Sequence, residues 1–295
     1  MTTPEKPARD SAGLTDYLFA LPQYLLPTHA LSAAMHRIAR SRWRGFKDPF
    51  TRWFVGRYQV NLAEAQQPDP AAYESFNAFF TRALRPEARP MHDEAGTAIC
   101  PVDGAVSQAG HIAGDTIFQA KGRSFDLDTL VGGAEYAKGF RNGRFATLYL
   151  SPRDYHRIHM PLAGKLTRMT YIPGRLFSVN AATAKVIPSL FARNERVVCH
   201  FDTEYGPMAM ILVGAVFVGS IETVWAGEVA PPRHWYTETK RYLNDAPQLG
   251  RGEEMGRFNM GSTVVLLFGP DGLEWDQTIQ PGAAIRMGQR LAAPA

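Results

Sequence analysis

The stretch Met208-Ala-Met-Ile-Leu-Val-Gly-Ala-Val-Phe-Val-Gly-Ser-Ile221 is the longest apolar run in the chain, and its reading decides the fold. It falls short of the roughly 18 residues that a membrane span needs, and it is rich in Val, Ile, Gly and Ala. It therefore reads as one or two buried strands. The same texture continues on both sides. Short β-rich runs at 145–150, 166–172, 196–201 and 263–268 are separated by recurrent Gly and Pro. There is no βαβ alternation, nucleotide-type GxGxxG, P-loop, internal repeat or low-complexity tract. The expected fold class is α+β, with a predominantly antiparallel β body forming a single domain over 71–295.

The N-terminal part differs. Residues 1–10 are polar and read as a disordered tail. Residues 11–70 read as a set of short amphipathic helices. Leu14, Tyr17, Leu18, Leu21, Tyr24 and Leu25 precede Pro27. Leu31, Met35 and Ile38 share a helical face, and Trp53, Phe54, Tyr58 and Leu62 recur at near-helical spacing. Pro22, Pro27 and Pro49 are expected to divide these helices. A further helix is expected over 71–85, closed by Pro86 and Pro90.

The charge is concentrated in this arm. The net charge is +4, yet residues 11–60 hold seven Lys/Arg against two Asp/Glu, and 61–295 are nearly balanced. A localised basic arm argues against a nucleic-acid surface spread over the fold. Arginines beside Trp, Phe and Leu suit a helix lying at a membrane surface, although packing on the body would produce similar faces. The N-terminus lacks the pattern of a secretory signal, so export by that route is not expected. Two cysteines, Cys100 and Cys199, with no CxxC, exclude a disulfide framework and a structural zinc cluster. They are expected to be buried free thiols in a reducing compartment.

Four segments could carry chemistry. Pro101-Val-Asp103-Gly reads by default as a turn. Ser151-Pro-Arg-Asp-Tyr155-His156-Arg-Ile-His159-Met-Pro follows a strand, and its His-x-x-His spacing invites a metal that no third ligand nearby supports. Tyr171-Ile-Pro-Gly-Arg-Leu-Phe177-Ser178-Val-Asn is a turn that could line a pocket. Gly250-Arg-Gly-Glu-Glu-Met-Gly-Arg-Phe-Asn-Met-Gly261-Ser262-Thr is glycine-rich and leads into a strand. Asp103, His159 and Ser262 could form a nucleophilic triad, but Ser262 lacks the GxSxG elbow.

Taken together, these segments resemble the phosphatidylserine decarboxylases, most closely the bacterial membrane-associated type. The resemblance covers about residues 20–290. It also rests on Phe76-Asn-Ala-Phe-Phe-Thr-Arg-Ala-Leu-Arg-Pro and Gln119-Ala-Lys-Gly. The family's cleavage motif usually reads Leu-Gly-Ser-Thr. Here Met260 replaces the leucine, keeping apolar bulk beside Gly261 and Ser262. No pattern was recognised in 233–247, and no role is assigned to it.

The resemblance implies a lyase that makes its own cofactor. Ser262 would attack the Gly261 carbonyl, and the resulting ester would eliminate to leave a pyruvoyl group at the head of a 34-residue chain. Asp103, His159 and Ser262 would form the self-cleavage set, with His156 as the proton donor in decarboxylation. The covalent pyruvoyl would form a Schiff base with phosphatidylserine, release CO2 and yield phosphatidylethanolamine. Tyr155, Phe177 and Ser178 are candidates for the head-group pocket, and no metal is implied. The expected partners are the phosphatidylserine substrate and an anionic membrane surface, with no nucleic acid. The two cleavage products would stay together as a heterodimer, and a dimer of these is among the states allowed. The expected location is peripheral, on the cytoplasmic side of the cell membrane. The rival readings are a membrane-associated serine hydrolase acting on lipid esters through Asp103, His159 and Ser262, and a non-enzymatic lipid-binding module.

Overall fold

The computed structural model describes residues 12–120, 123–217, 220–230 and 235–294. The polar tail at 1–10, Lys121-Gly122, and Arg233 and His234 lie outside the described residues.

Three helices open the chain: α1 (Leu14–Ala20), α2 (Thr28–Ala39) and α3 (Arg44–Tyr58). Pro49 does not divide α3. It lies less than two turns from the helix start, where its missing N–H forfeits one intrahelical bond. Gln59, in the left-handed conformation, ends the helix. The helix expected over 71–85 is shorter, α4 (Phe76–Phe80). The Ser75 hydroxyl caps it by accepting from the Ala78 N–H.

The body is β-rich. Its strands in chain order are β1 (Ala98–Ile99), β2 (Gly104–His111), β3 (Thr116–Ala120), β4 (Arg123–Asp126), β5 (Arg144–Leu150), β6 (Arg157–His159), β7 (Gly164–Ile172), β8 (Arg196–Thr203) and β9 (Gly206–Val213). They continue with β10 (Ile221–Thr223), β11 (Gly227–Ala230), β12 (Glu238–Arg241), β13 (Gln248–Leu249), β14 (Glu254–Phe258), β15 (Ser262–Phe268), β16 (Leu273–Trp275), β17 (Ala284–Ile285) and β18 (Arg290–Pro294). The main sheet runs β12-β7-β8-β9-β15-β5-β2-β17, with β13 also pairing β7, and its pairings are antiparallel. A smaller antiparallel sheet runs β11-β10-β14-β6. The described part of the segment 233–247, which matched no pattern, thus contributes edge strand β12.

Both faces of the main sheet are covered, which explains why its central strands are apolar throughout. In β15, Val264, Leu266 and Phe268 enter one core, and Val265 and Leu267 enter the other. This is the period-two alternation of a strand with two dry faces. The second core also includes Ala184 and Val186 from a short helix, α5 (Ala181–Val186). Cys100 and Cys199 are free and buried, and burial pushes the Cys100 thiol up to about 12.

A third core joins the arm to the body. Phe54 of α3 packs edge-on against Phe76 of α4, at 5.0 Å between ring centres, with Phe79 and Phe80 alongside. Buried Lys47 anchors the same helix, donating to the carbonyls of Ala71 and Tyr73 and pairing with Asp48. The opposite side of the arm is open. Leu14, Leu18, Leu21 and Leu25 are exposed, as are Trp43 and Trp53. In α2 the side turned to the body carries Thr28, Ser32 and Ala39, whereas Ile38 is exposed.

Candidate active site

Ser262 begins β15, the strand between β9 and β5, and is itself buried. Its hydroxyl donates to the Val213 carbonyl. The approach to it is bent. Met260 has φ 106° and Gly261 has φ 31°, so two successive residues lie on the positive-φ side just before the strand. For a side chain such as methionine that conformation costs on the order of 1–3 kcal/mol, and it must be imposed by surroundings.

The surroundings are visible. Met260 packs against the aromatic core formed by α3 and α4. The Asn259 carboxamide accepts from Asn77 at 2.9 Å and donates to the Ser220 hydroxyl at 2.6 Å. Two sequence segments 182 residues apart are thereby tied together at the bend. A Cβ on Gly261 would meet nothing within 4 Å, so its carbonyl carbon is not crowded by a side chain from that residue or its surroundings.

Ser262 and Gly261 line a cavity of about 510 Å3. Its walls are mainly apolar and include Leu18, Phe19 and Leu26 of the arm and Phe217 of the body. Ser178 also lines it, with its backbone N–H donating to the buried Gln23 carboxamide at 2.8 Å. Phe177 lies deeper. It is fully buried, its ring is 4.9 Å from that of Tyr24, and its N–H donates to Asn194.

Asp103 precedes β2 at the same end of the sheet. Gly104 is required there, because a Cβ would lie 2.1 Å from the Tyr149 carbonyl oxygen. The carboxylate accepts from Arg89 at 2.5–3.1 Å and from the Met287 N–H at 2.9 Å. Ala105 and Thr263 face Tyr149 of β5 from opposite sides. Two ladder spacings of about 4.8 Å therefore separate the strands that carry Asp103 and Ser262.

His159 closes β6, and His156 lies just before that strand. His159 stacks beside Tyr155, whose hydroxyl meets Nε2 at 3.0 Å. Its Nδ1 lies 2.8 Å from the Gly252 carbonyl. A carbonyl only accepts, so Nδ1 carries the proton, Nε2 holds the lone pair, and Tyr155 donates to it. Burial holds its pKa below the ordinary histidine value, while the negative charge of Asp103 works in the other direction.

His156 is fully buried, with its ring 4.1 Å from that of Phe80. Its Nδ1–H donates to the Asp154 carbonyl at 2.9 Å, and Nε2 is buried without a partner. Burial, and then the nearby Arg82 cation, depress its pKa to about 3. Its carbonyl accepts from the Phe258 N–H, four residues before Ser262, whereas His159 pairs with Glu254. By register, His156 is therefore the histidine nearer to the bend.

Asp103, Tyr155 and His159 thus gather on one side of the 150–155 segment, and Ser262 with Ser178 on the other. Among the described residues no hydrogen bond joins Asp103, His159 and Ser262 to one another. Sequence reading missed Arg89, Asn77, Asn259 and the Gly252 carbonyl. Each acts through a partner distant in the chain; Asn77, Gly252 and Asn259 lie inside the quoted motif segments, whereas Arg89 lies outside them.

A family model described as phosphatidylserine decarboxylase matches residues 76–293, and a second, described as PSD, matches residues 18–59. The chain is 57% identical over 284 residues to a protein of a Pseudomonas putida strain named phosphatidylserine decarboxylase proenzyme, covering 94% of this chain and 98% of that one. It is 56% identical over 284 residues to a Bordetella pertussis protein of the same name, covering 95% of each. The chain belongs to the phosphatidylserine decarboxylase family.

Proposed function

We propose that this protein is a self-processing phosphatidylserine decarboxylase that cuts itself between Gly261 and Ser262. The observation that carries the reading is the bend at Met260–Gly261. It delivers a buried serine to the floor of an apolar cavity, in a chain so close to named proenzymes. Such strain at a functional site raises the energy of the peptide bond that is to be broken.

In the first reaction Ser262 Oγ attacks the Gly261 carbonyl carbon. The C–N bond breaks, leaving an ester and a free amine at residue 262. Loss of the proton on Cα of residue 262 expels the Gly261 carboxylate from Cβ. Water then replaces nitrogen, which leaves as ammonia. A base must take the Ser262 proton, and His159 Nε2 is the candidate with an available lone pair once Tyr155 releases it. Burial opposes the protonated state of that ring; the Gly252 carbonyl and then Glu254 favour it, and Asp103 adds the smallest of these contributions.

Once made, the pyruvoyl group supplies a carbonyl to condense with the substrate amine and a sink for the electrons left as CO2 departs. Ser178 and residue 262 share the cavity in which the head group would sit. His156 Nε2 is the candidate site for the proton delivered to the substrate carbon; with its pKa depressed to about 3 it is bare near neutral pH, so this role requires the bound substrate's negative charge to raise that pKa. The apolar walls keep bulk water from competing for that step.

The substrate is a bilayer lipid, and the arm supports a peripheral site on an anionic membrane surface. Its exposed leucines and tryptophans form an unpartnered apolar face, and Leu18, Phe19 and Leu26 also line the Ser262 cavity. Among the described residues no helix is long and apolar enough to cross a membrane. The two products would remain a heterodimer on the cytoplasmic side.

Intact mass of the purified protein tests the reading. Wild type should give two chains, one ending at Gly261 and one of 34 residues lacking an ordinary amino terminus. Ser262→Ala should give one. A wild-type chain that stays whole and inactive defeats it. His159→Ala should block cutting, while His156→Ala should cut and decarboxylate poorly; the reverse outcome exchanges their roles.

A further inference from the structure

A second cavity, of about 290 Å3, opens where the end of α3 meets the body. The segment after β5 divides it from the Ser262 cavity. Leu150 and Pro152 line that one, whereas Arg153, Asp154 and Tyr155 line this one. Four arginines reach the second cavity, Arg82, Arg89, Arg153 and Arg286, against three carboxylates, Glu64, Asp103 and Asp154.

The charges are unevenly satisfied. Arg89 is neutralised, with Asp103 at 2.5 Å and Glu64 at 2.8 Å. Arg153 and Arg286 are exposed and hold their carboxylates loosely, at 3.9 and 3.7 Å. Arg82 is the exception. It is only 4% exposed, and its guanidinium makes one hydrogen bond, to the Arg153 carbonyl at 3.2 Å. Its Nε is buried without a partner, and among the described residues no carboxylate lies within ion-pair distance of it. The ring of Phe79 lies 5.4 Å from it. Burial pulls its pKa below the ordinary arginine value. A desolvated cation without a counter-charge is expensive unless a ligand completes it.

We propose that this cavity is a phosphodiester site, built on Arg82 with Arg153 and Arg286 at its rim, that takes the phosphate of a phospholipid head group. One uncompensated positive charge matches the single negative charge of a phosphodiester. Guanidinium forks suit its oxygens. The cavity lies across the 150–155 segment from Ser262, so this phosphate belongs to a lipid other than the one whose amine reaches residue 262; that a phospholipid is at hand rests on the decarboxylase reading.

Calorimetric titration of the full-length protein with glycerophosphoglycerol tests this. The probe is a phosphodiester with neither amine nor carboxylate. Saturable binding is expected, weakened on the order of ten- to hundred-fold by Arg82→Gln and partly restored in Arg82→Lys. Since Arg82 is buried, the exposed Arg153→Gln and Arg286→Gln serve as variants that leave folding intact, and each should weaken binding several-fold. Inorganic phosphate as competitor separates the sources. Displacement of the probe at similar concentration assigns recognition to the phosphate alone, and displacement only by diesters assigns it to the lipid ester; both uphold the site. Absence of saturable binding to wild type overturns the proposal. So does unchanged affinity in folded Arg82→Gln, or in Arg153→Gln and Arg286→Gln together. The same titration on Ser262→Ala needs no processing, so it separates failure of this site from failure of the decarboxylase reading.

Discussion

Replacing His156 by glutamine isolates the cost of burying an imidazole beside the cleavage bend. In the folded chain the ring is fully buried and its pKa is depressed from 6.5 to about 3, first by burial and second by the Arg82 cation. The unfolded chain binds a proton at that residue below about pH 6.5, and the folded chain does not do so until the pH is near 3. Folding is therefore opposed progressively as pH falls through this window. Each pH unit within it costs roughly 1.4 kcal/mol, so acidification from 6.5 to about 5 removes about 2 kcal/mol. Glutamine cannot titrate there, and its amide can still donate to the Asp154 carbonyl. The assay is urea unfolding of wild type and His156→Gln at several pH values. Glutamine is expected to cost stability near pH 7, where the stack on Phe80 is lost, with the gap closing or reversing by about 2 kcal/mol near pH 5. His200, depressed to about 4, titrates in both proteins and cancels from the difference. A difference that stays constant from pH 7 to 5 would refute the reasoning, because it would mean that His156 titrates alike in both states.

Other consequences are measurable. Phe76→Ala empties the centre of the aromatic core that joins arm to body, and should lower unfolding free energy by about 3–5 kcal/mol in a urea titration; a loss below about 1 kcal/mol would show that α3 is not held there. Tyr155→Phe removes the hydroxyl on His159 Nε2 and should raise the pKa of that histidine toward its ordinary value, read by NMR titration. An unmoved pKa would mean the hydroxyl does not donate to that nitrogen. Leu18→Ser with Leu25→Ser, at positions 67% and 90% exposed, should leave thermal stability unchanged but reduce pelleting with phosphatidylglycerol vesicles at least about ten-fold. Unchanged pelleting would place the membrane face elsewhere.

Much of the body is legible because strand periodicity is local. The runs that end at Leu150, Ile172 and Phe268 become β5, β7 and β15 with small shifts at their starts. The arm is legible as helices but not as to its packing. The face of Leu31, Met35 and Ile38 suits a membrane surface and leaves Ile38 exposed, but nothing in the pattern shows that the smaller Thr28, Ser32 and Ala39 face the body. Small side chains permit close approach and leave no apolar trace in the pattern. Pro49 misleads because α3 is held on both sides of it by tertiary contacts, Lys47 before it and Phe54 after it, which outweigh the lost bond. At the site, Ser262, Asp103 and the histidines can be named from motifs. Their partners cannot, because Arg89 reaches Asp103, and the Gly252 carbonyl His159, through contacts that only the folded topology creates.

Ser262 heads a strand that is hydrogen-bonded on both flanks, to Val213–Met208 on one side and Leu150–Arg144 on the other. Such a strand cannot be slotted into a finished sheet from outside. The bend at Gly261 also depends on Asn77 and the aromatic core, which are in place only in the assembled molecule. The proposed cut would accordingly be a clock that starts when assembly ends. A copy that misfolds would not acquire the bend, and a copy that folds would retain the severed strand by two full ladders. Maturation by that route would double as an inspection of the chain's own folding.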